Sequence, residues 1–280
     1  MGLVAPNRRE SFQIANGEGL PIGGEMWYAE RPRGTVIVCH GFKGFMRWGF
    51  FPVLAETLSR GGINAITFNF SGSGIGADGE SFTEEKAFFS NSYSRELADL
   101  ELVEKEAERR EWLGVNYGLF GHSRGGGIAI LHTARQPRVR ALATWAAISG
   151  IDRWSGDDKK KWRENGSIGI INARTGQVLE LGMATLEDIE QFANSDLDID
   201  SAASRVRIPW LIAHGTKDEA VPYAESERLE KAATSALVET LTIAGGDHTF
   251  GAQHPLLSPV SSRTQRAITR TVAFFRDNLE

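Results

Sequence analysis

Short apolar runs alternate along this chain with stretches of helical length, and that alternation restricts the possible folds more than any other feature. The apolar runs, rich in β-branched residues, cover 35–40, 63–70, 116–120, 140–148, 210–214 and 237–244. Amphipathic stretches lie between or after them at about 48–60, 92–112, 124–136, 223–234 and 260–278. Strands that are apolar throughout are typical of a parallel sheet buried on both faces. The pattern therefore predicts an α/β fold, with two further strands in 10–29.

Composition excludes several classes of protein. The 280 residues carry a formal net charge of −5 and include no basic block, which argues against nucleic-acid binding. No run of 18 apolar residues is present, so no membrane span is expected. The single cysteine, Cys39, precludes an intramolecular disulfide and a zinc site built from cysteines. Because the first residues lack the apolar stretch of a signal peptide, a cytoplasmic location is expected.

The regular alternation breaks between residues 150 and 204. This segment holds 11 acidic and 6 basic residues, which accounts for the whole net charge of −5. We interpret it as an insertion into a core domain formed by 1–149 and 205–280. Within it, the sequence Thr185-Leu186-Glu187-Asp188 predicts a helix that begins with a capping box.

The pentapeptide Gly121-His122-Ser123-Arg124-Gly125 fits the pattern G-x-S-x-G between a predicted strand and a predicted helix. A nucleophile in such a sharp turn has strained dihedral angles, and its neighbours need to lack Cβ atoms. The following helix places a positive dipole end beside a developing oxyanion. Ser123 is therefore the predicted nucleophile. The alternative is a serine that only caps the helix.

A serine hydroxyl needs a neighbouring base. His248 is favoured because it follows the last predicted strand in Gly245–Gly251 and can reach the carboxyl edge of the sheet, where Ser123 emerges. His254 is the second candidate. Structural roles are expected for the other four histidines, which are His40, His122, His132 and His214.

The base in turn needs a carboxylate to fix its tautomer. Asp218 follows the penultimate strand, one loop away from His248, and completes the order Ser123, Asp218, His248. Glu219 and Asp247 are the alternatives, although Asp247 is adjacent to His248 and cannot easily reach its ring.

An oxyanion also needs backbone N–H donors. The first is expected from Arg124, directly after the nucleophile. The second is expected from Phe42 in the glycine-loosened loop 40–44, while the aromatic side chain of Phe42 has a separate packing role.

The chain resembles the serine-dependent α/β-hydrolases. The residues that carry this resemblance are HGFKG (40–44), FNFSGSG (68–74), GHSRGG (121–126), HGTKDEAVP (214–222) and GGDHTF (245–250). Within that superfamily, GHSRGG and the short HGF loop resemble dienelactone-hydrolase-like and feruloyl- or cinnamoyl-esterase-like enzymes. Dienelactone hydrolases proper use a cysteine nucleophile, and many lipases have an HGGG-type loop, neither of which this chain has.

The resemblance implies a mostly parallel sheet of eight strands with helices on both faces, and a cap inserted after the sixth strand. The cap would be 150–204, in which Trp154, Trp162 and Ile168–Ile171 either wall an acyl pocket or only pack the cap onto the body. The side chain of Arg124 would either bind a substrate carboxylate or form a structural ion pair.

The activity expected from the resemblance is that of a serine carboxylic-ester hydrolase, acting without cofactor or metal through an acyl-enzyme. Its partner would be a small-molecule ester with a small-to-medium or aromatic acyl group, and a homodimer is compatible with the sequence. The same residues also suit a thioesterase, a peptidase or amidase, or a C–C hydrolase. A non-catalytic binding protein with this fold is the alternative from a different class.

Overall fold

A computed structural model describes residues 8–172, 175–234 and 237–279. Its main feature is a sheet of eight strands, and a separate pair of strands lies in the insertion. The strands are β1 (Arg9–Ala15), β2 (Pro21–Trp27), β3 (Thr35–Cys39), β4 (Asn64–Phe68), β5 (Tyr117–His122), β6 (Val139–Trp145), β7 (Ser167–Ile171), β8 (Val178–Gly182), β9 (Trp210–Gly215) and β10 (Val238–Ile243).

The strand order in the main sheet is β1-β2-β4-β3-β5-β6-β9-β10. β1 pairs with β2, and β2 with β4, in antiparallel fashion, while every other neighbouring pair is parallel. The parallel strands end at a common edge, where open α/β sheets bind their ligands. The expected eight-stranded and mostly parallel sheet is therefore confirmed.

The described residues include nine α-helices. They are α1 (Phe51–Arg60), α2 (Glu85–Phe89), α3 (Tyr93–Arg109), α4 (Arg124–Thr133), α5 (Gly156–Asn165), α6 (Met183–Phe192), α7 (Ile199–Arg205), α8 (Ala224–Ala232) and α9 (Ser262–Asn278). Among these helices none combines the length and the apolar character that crossing a bilayer requires.

Two apolar cores lie on opposite faces of the sheet because successive side chains of a strand point to opposite sides. In β3, Ile37 and Cys39 belong to the core that includes residues of α3, α4, α7 and α8. Val36 and Val38 belong to the core that includes residues of α1 and α9. All five residues of β3 are buried, which explains why its sequence is apolar at every position instead of alternating.

The insertion between β6 and β9 contains α5, the hairpin β7–β8, α6 and α7. A third apolar cluster joins α5, β8 and α6 to α2 of the body, with Trp162, Leu181 and Phe88 among its buried members. α7 packs against α4 and α8, and the carboxylate of Asp188 in α6 accepts hydrogen bonds from Ser94 in α3. Helices α6 and α7 of the insertion therefore pack against helices of the body.

The predicted capping box at Thr185 is wrong. α6 begins at Met183 after Gly182, so Thr185 lies inside the helix. The hydroxyl of Thr185 donates instead to the carbonyl oxygen of Asn91, at 2.7 Å. A threonine followed by acidic residues can cap a helix or lie inside one. Here the hydrogen bond to Asn91, in a distant segment, accompanies the position inside the helix.

Candidate active site

Ser123 lies in the turn between β5 and α4. Its φ of 57° and ψ of −122° fall in a region that non-glycine residues seldom occupy, which is typical of strain at a functional position. The backbone holds this conformation because the N–H of Ser123 donates to Trp145 and its carbonyl oxygen accepts from Gly126 and Gly127. The side chain makes no capping hydrogen bond, so the interpretation of Ser123 as a helix cap is not supported.

The glycines on either side of Ser123 are required by close backbone contacts. A Cβ atom at Gly121 would lie 2.4 Å from the carbonyl oxygen of Gly125, and one at Gly125 would lie 2.2 Å from that of His40. Both distances are far below van der Waals contact, and backbone atoms of neighbouring elements cannot easily give way. The strand, the turn and the helix can therefore meet closely only with glycine at these two positions.

His248 and Asp218 lie together after the last two parallel strands. The Nδ1 atom of His248 is 2.8 Å from Oδ2 of Asp218. The side chain of His248 is 24% exposed, whereas that of Asp218 is 0% exposed, so only the imidazole can meet a substrate. With Nδ1–H donating to the carboxylate, Nε2 is left as the acceptor that a general base needs.

Asp218 is held ionised by several donors despite its burial. Its Oδ1 accepts hydrogen bonds from the backbone N–H groups of Ala220 and Val221, each at 2.9 Å. Nε2 of His214 lies 3.2 Å from Oδ2 and 2.9 Å from the carbonyl oxygen of Val221. Burial opposes these contacts, but the hydrogen bonds from His214 and His248 prevail and lower the pKa of Asp218 below its ordinary range.

The alternative residues lie in other environments. The Nδ1 atom of His254 accepts from the N–H of Gly49, at 3.1 Å, and its ring packs on Phe45 and Trp48. The carboxylate of Asp247 accepts from backbone N–H groups of its own loop, and Glu219 is exposed. The geometry therefore favours His248 and Asp218 over these alternatives.

Among the described residues, no hydrogen bond joins Ser123 Oγ directly to His248, although both line one cavity. Catalytic hydrogen bonds are often long in ligand-free enzymes and shorten when substrate binds. The loop that carries His248 is fixed by His122, whose Nε2 lies 2.9 Å from the carbonyl oxygen of His248. His122 thus belongs to the support of the site, as its expected structural role requires.

The two predicted oxyanion donors are the backbone N–H groups of Phe42 and Arg124. Neither Phe42 N–H nor Arg124 N–H has an acceptor within the part of the chain that the structure describes. A Cβ atom at Gly41 would lie 2.9 Å from Cβ of Ser123, so the peptide that precedes Phe42 runs beside the serine. His40 fixes this loop, since its Nε2 accepts from Phe70 N–H and its Nδ1–H donates to the Gly41 carbonyl oxygen. Burial lowers the pKa of His40 to about 4 and keeps the ring neutral.

The cavity above Ser123 has a volume of about 450 Å³. Body and insertion both contribute to its walls, and the lining residues are Phe42, Lys43, Tyr93, Ser123, Arg124, Ile148, Arg153, Trp154, Ile170, Leu181, Thr185, Ala220, Val221 and His248. Within the described ranges, no group of three or more His, Cys, Asp or Glu side chains is placed to hold a metal ion.

The structure separates the two tryptophans that the sequence assigns to the substrate pocket. Trp154 lines the cavity, with Trp162 behind it at a ring-centroid distance of 5.0 Å in edge-to-face contact. Trp162 is 0% exposed, so its predicted contact with substrate is wrong. Of the segment Ile168–Ile171, Ile170 reaches the cavity and Ile171 is largely exposed.

The side chain of Arg124 forms the expected structural ion pair. Its Nε donates to Oε2 of Glu96 at 2.9 Å, and both side chains are buried. The guanidinium also stacks on the ring of Tyr93, with Cζ 3.7 Å from the ring centroid. Sequence reasoning missed Glu96 and Tyr93 because α3 is separated from Ser123 by the whole of β5 and carries no motif of its own.

The protonation of His122 provides a test of these contacts. Burial, together with the neighbouring His248, lowers the pKa of His122 to about 3, whereas an unfolded chain binds this proton near pH 6.5. The neutral His122 ring therefore contributes fully to the unfolding free energy above pH 6.5, and this contribution is lost as the pH falls. The variant His122→Gln keeps a donor near the position of Nε2 but has no proton to bind in this range. When the pH falls from 7 to 5, we expect its unfolding free energy to decrease by about 2 kcal/mol less than that of the wild type. Urea denaturation at both pH values measures this difference, and equal losses would contradict the buried neutral ring.

The chain is similar in sequence to several known proteins. The sequence model of the family described as "Serine aminopeptidase, S33" matches residues 30–164. The chain is 24% identical over 250 residues to 2,6-dihydropseudooxynicotine hydrolase of Paenarthrobacter nicotinovorans, covering 88% of this chain and 60% of the relative. It is 31% identical over 126 residues to monoglyceride lipase of Saccharomyces cerevisiae, covering 42% of this chain and 37% of the relative. The chain therefore spans less than two thirds of either relative.

Solved structures agree on the fold. Est1E from Butyrivibrio proteoclasticus with ferulic acid bound has a TM-score of 0.72 at 18% identity, covering 96% of this chain and 99% of Est1E. The fold is thus that of the α/β-hydrolases.

Proposed function

We propose that the chain is a serine carboxylic-ester hydrolase in which Ser123, His248 and Asp218 act as the catalytic triad. One observation carries the proposal. The strained serine between β5 and α4 lines the same cavity as an imidazole whose Nδ1 lies 2.8 Å from a buried carboxylate. A merely structural serine needs neither the strained backbone nor such a neighbour, whereas acyl transfer needs both.

Acylation begins with attack of Ser123 Oγ on the ester carbonyl carbon, while His248 Nε2 takes the hydroxyl proton. The N–H groups of Phe42 and Arg124 stabilise the oxyanion that forms. Collapse of this intermediate breaks the ester C–O bond, and His248 gives its proton to the departing alcohol. Water then attacks the acyl-enzyme with His248 as base, which releases the acid and restores Ser123.

The cavity supports a small-to-medium or aromatic acyl group as substrate. Its volume of about 450 Å³ lies in the range of small-molecule sites, and much of its wall is apolar, with Trp154, Ile148 and Val221 among the contributors. Est1E has ferulic acid bound, and one sequence relative is a monoglyceride lipase. These relatives support an ester as the substrate of this chain.

The insertion 150–204 acts in this proposal as a cap that limits access of water to the acyl-enzyme. It supplies Arg153, Trp154, Ile170, Leu181 and Thr185 to the cavity wall, all from outside the core domain formed by 1–149 and 205–280. A lining that comes from two parts of the chain can shape specificity without altering the residues that perform the chemistry.

Turnover and active-site labelling together test the proposed activity. We expect the protein to hydrolyse p-nitrophenyl acetate, and to lose this turnover in proportion to the fraction labelled by a fluorophosphonate, which reacts with activated serines. Turnover that persists after complete labelling, or a protein that neither reacts nor hydrolyses esters, would contradict it. A thioester and an anilide assayed in parallel distinguish an esterase from a thioesterase or an amidase that uses the same residues.

A further inference from the structure

Cationic side chains line the cavity and carboxylates do not. Of the lining residues, Lys43, Arg124 and Arg153 carry positive charge, and neither aspartate nor glutamate is among them. A wall with charge of one sign favours a ligand of the opposite sign, particularly where apolar surface keeps water away. Most of the other lining residues are apolar.

The charges of the two arginines are compensated from behind the wall. Arg124 pairs with Glu96, and Arg153 pairs with Glu225 and also donates to the carbonyl oxygen of Ala220. Lys43 is different, because its Nζ donates to the carbonyl oxygen of Ile171 at 3.1 Å and, among the described residues, forms no ion pair. Partial burial lowers the pKa of Lys43. The site therefore carries the uncompensated charge of one amine.

Arg124 has an unused donor. Its Nε is bonded to Glu96, but its Nη2 is buried and has no acceptor among the residues described. The side chain is only 5% exposed, and Tyr93 and Phe42 lie against the guanidinium with ring centroids 3.7 and 5.1 Å from Cζ. A buried donor without a partner lowers stability, and an acceptor supplied by a ligand would recover that loss. The described residues provide no such acceptor for Nη2 of Arg124.

We propose, building on the esterase activity inferred above, that the acyl group of the substrate carries its own carboxylate, so that the enzyme hydrolyses monoesters of short dicarboxylic acids. The free carboxylate accepts a hydrogen bond from Nη2 of Arg124 and offsets the charge of Lys43. A short acyl chain is favoured because Arg124 directly follows Ser123 in the sequence. The ester bond is cleaved through the acyl-enzyme described above, with the alcohol as leaving group and the dicarboxylate as product.

Two matched substrates test the preference. The p-nitrophenyl monoester of glutaric acid ends in a carboxylate, and p-nitrophenyl 5-methylhexanoate has an isopropyl group of the same shape in its place. We expect kcat/KM to be about tenfold or more higher for the glutarate monoester, as a charged hydrogen bond predicts. An equal or lower value for this ester would overturn the inference while leaving the esterase proposal intact. Failure of both esters, together with failure of fluorophosphonate labelling, would instead refute the proposed function.

Variants locate the preference within the site. Glu96→Gln with Arg124→Met removes the buried pair together, so that no unpaired charge remains. Lys43→Met removes the amine that has no ion pair among the described residues. We expect the ratio of the two kcat/KM values to fall about tenfold in the double variant, which loses a charged hydrogen bond to the substrate. In Lys43→Met we expect it to fall severalfold, because a charge that water partly screens interacts more weakly.

Arg135→Met is the matched control, since this exposed arginine donates to the carbonyl oxygen of Asp196 and does not line the cavity. Its ratio should equal that of the wild type. Each ratio is taken within one preparation, so a reduced amount of folded protein cancels. An unchanged ratio in both Lys43→Met and the double variant would overturn the assignment. If the double variant fails to fold, an unchanged ratio in Lys43→Met alone would overturn the assignment.

Discussion

Replacing Ser123 by alanine is expected to lower kcat for p-nitrophenyl acetate by about 10⁴- to 10⁶-fold, because no other hydroxyl can form the acyl-enzyme. The backbone contacts that hold the turn come from N–H and carbonyl groups, and the hydroxyl makes no capping hydrogen bond. Alanine can therefore occupy the same strained conformation. We expect the unfolding free energy to change by less than about 1 kcal/mol, a small effect for a single substitution.

Steady-state kinetics and urea denaturation of the same preparations separate chemistry from folding. Ser195→Ala is the matched control, because Ser195 is exposed and its hydroxyl donates to carbonyl oxygens in the last turn of α6. It should retain the turnover of the wild type. If Ser123→Ala stayed folded with more than a tenth of the wild-type kcat, Ser123 would not be the nucleophile.

Replacing Asp218 by asparagine is expected to lower kcat by about 10⁴-fold, because the imidazole would be held in the wrong tautomer. The amide oxygen of asparagine can still accept from the N–H groups of Ala220 and Val221, as Oδ1 does now. Its NH₂ group would then face His248 Nδ1, where the carboxylate accepts a hydrogen bond. Nε2 of His248 would carry the proton and would no longer be a base.

The effect of Asp218→Asn should appear in kcat, with little change in KM, since Asp218 is shielded from substrate. Asp247→Asn provides a matched change of charge one residue away from His248, in a carboxylate that accepts only from its own loop. A loss in Asp247→Asn equal to that in Asp218→Asn would mean that local charge matters and the contact with Nδ1 does not.

The sheet and the sharp turn at Ser123 could be predicted from the sequence because their causes are local. A strand buried on both faces must be apolar throughout, and the TVIVC run of β3 satisfies this by itself. The glycines at 121 and 125 are needed by contacts between segments that meet at one turn. The proximity of His248 and Asp218 follows from the same logic, since both follow parallel strands whose ends meet at one edge of the sheet.

The interior of the insertion could not be predicted, because its residues are positioned by partners distant in sequence. Trp162 and Trp154 are eight residues apart and have similar surroundings in the sequence, yet only Trp154 faces the cavity. Thr185 resembles a helix cap and instead binds the carbonyl oxygen of Asn91 across the chain. Which side of a short helix faces the cavity depends on how the insertion packs on α2 and α3. The spacing of apolar residues along the sequence does not contain that information.

The electrostatic surroundings of the cavity were likewise beyond the sequence. An arginine directly after Ser123 allowed both an ion pair and a substrate contact, and the structure shows the ion pair through Nε with a second donor unused. Nothing in the spacing of Glu96 and Arg124 indicates that they meet, since they are 28 positions apart in the sequence, with a strand between them. Such pairs arise from the packing of α3 beside α4.

Peptide mapping of the fluorophosphonate adduct tests the central claim most directly. The protein has several serines, and only an activated one reacts rapidly with this reagent. We expect a single adduct on the peptide that contains Ser123, formed rapidly in the wild type and far more slowly in His248→Ala. An adduct on any other residue, or one that forms on Ser123 at the same rate without His248, would contradict the triad and with it the proposed mechanism.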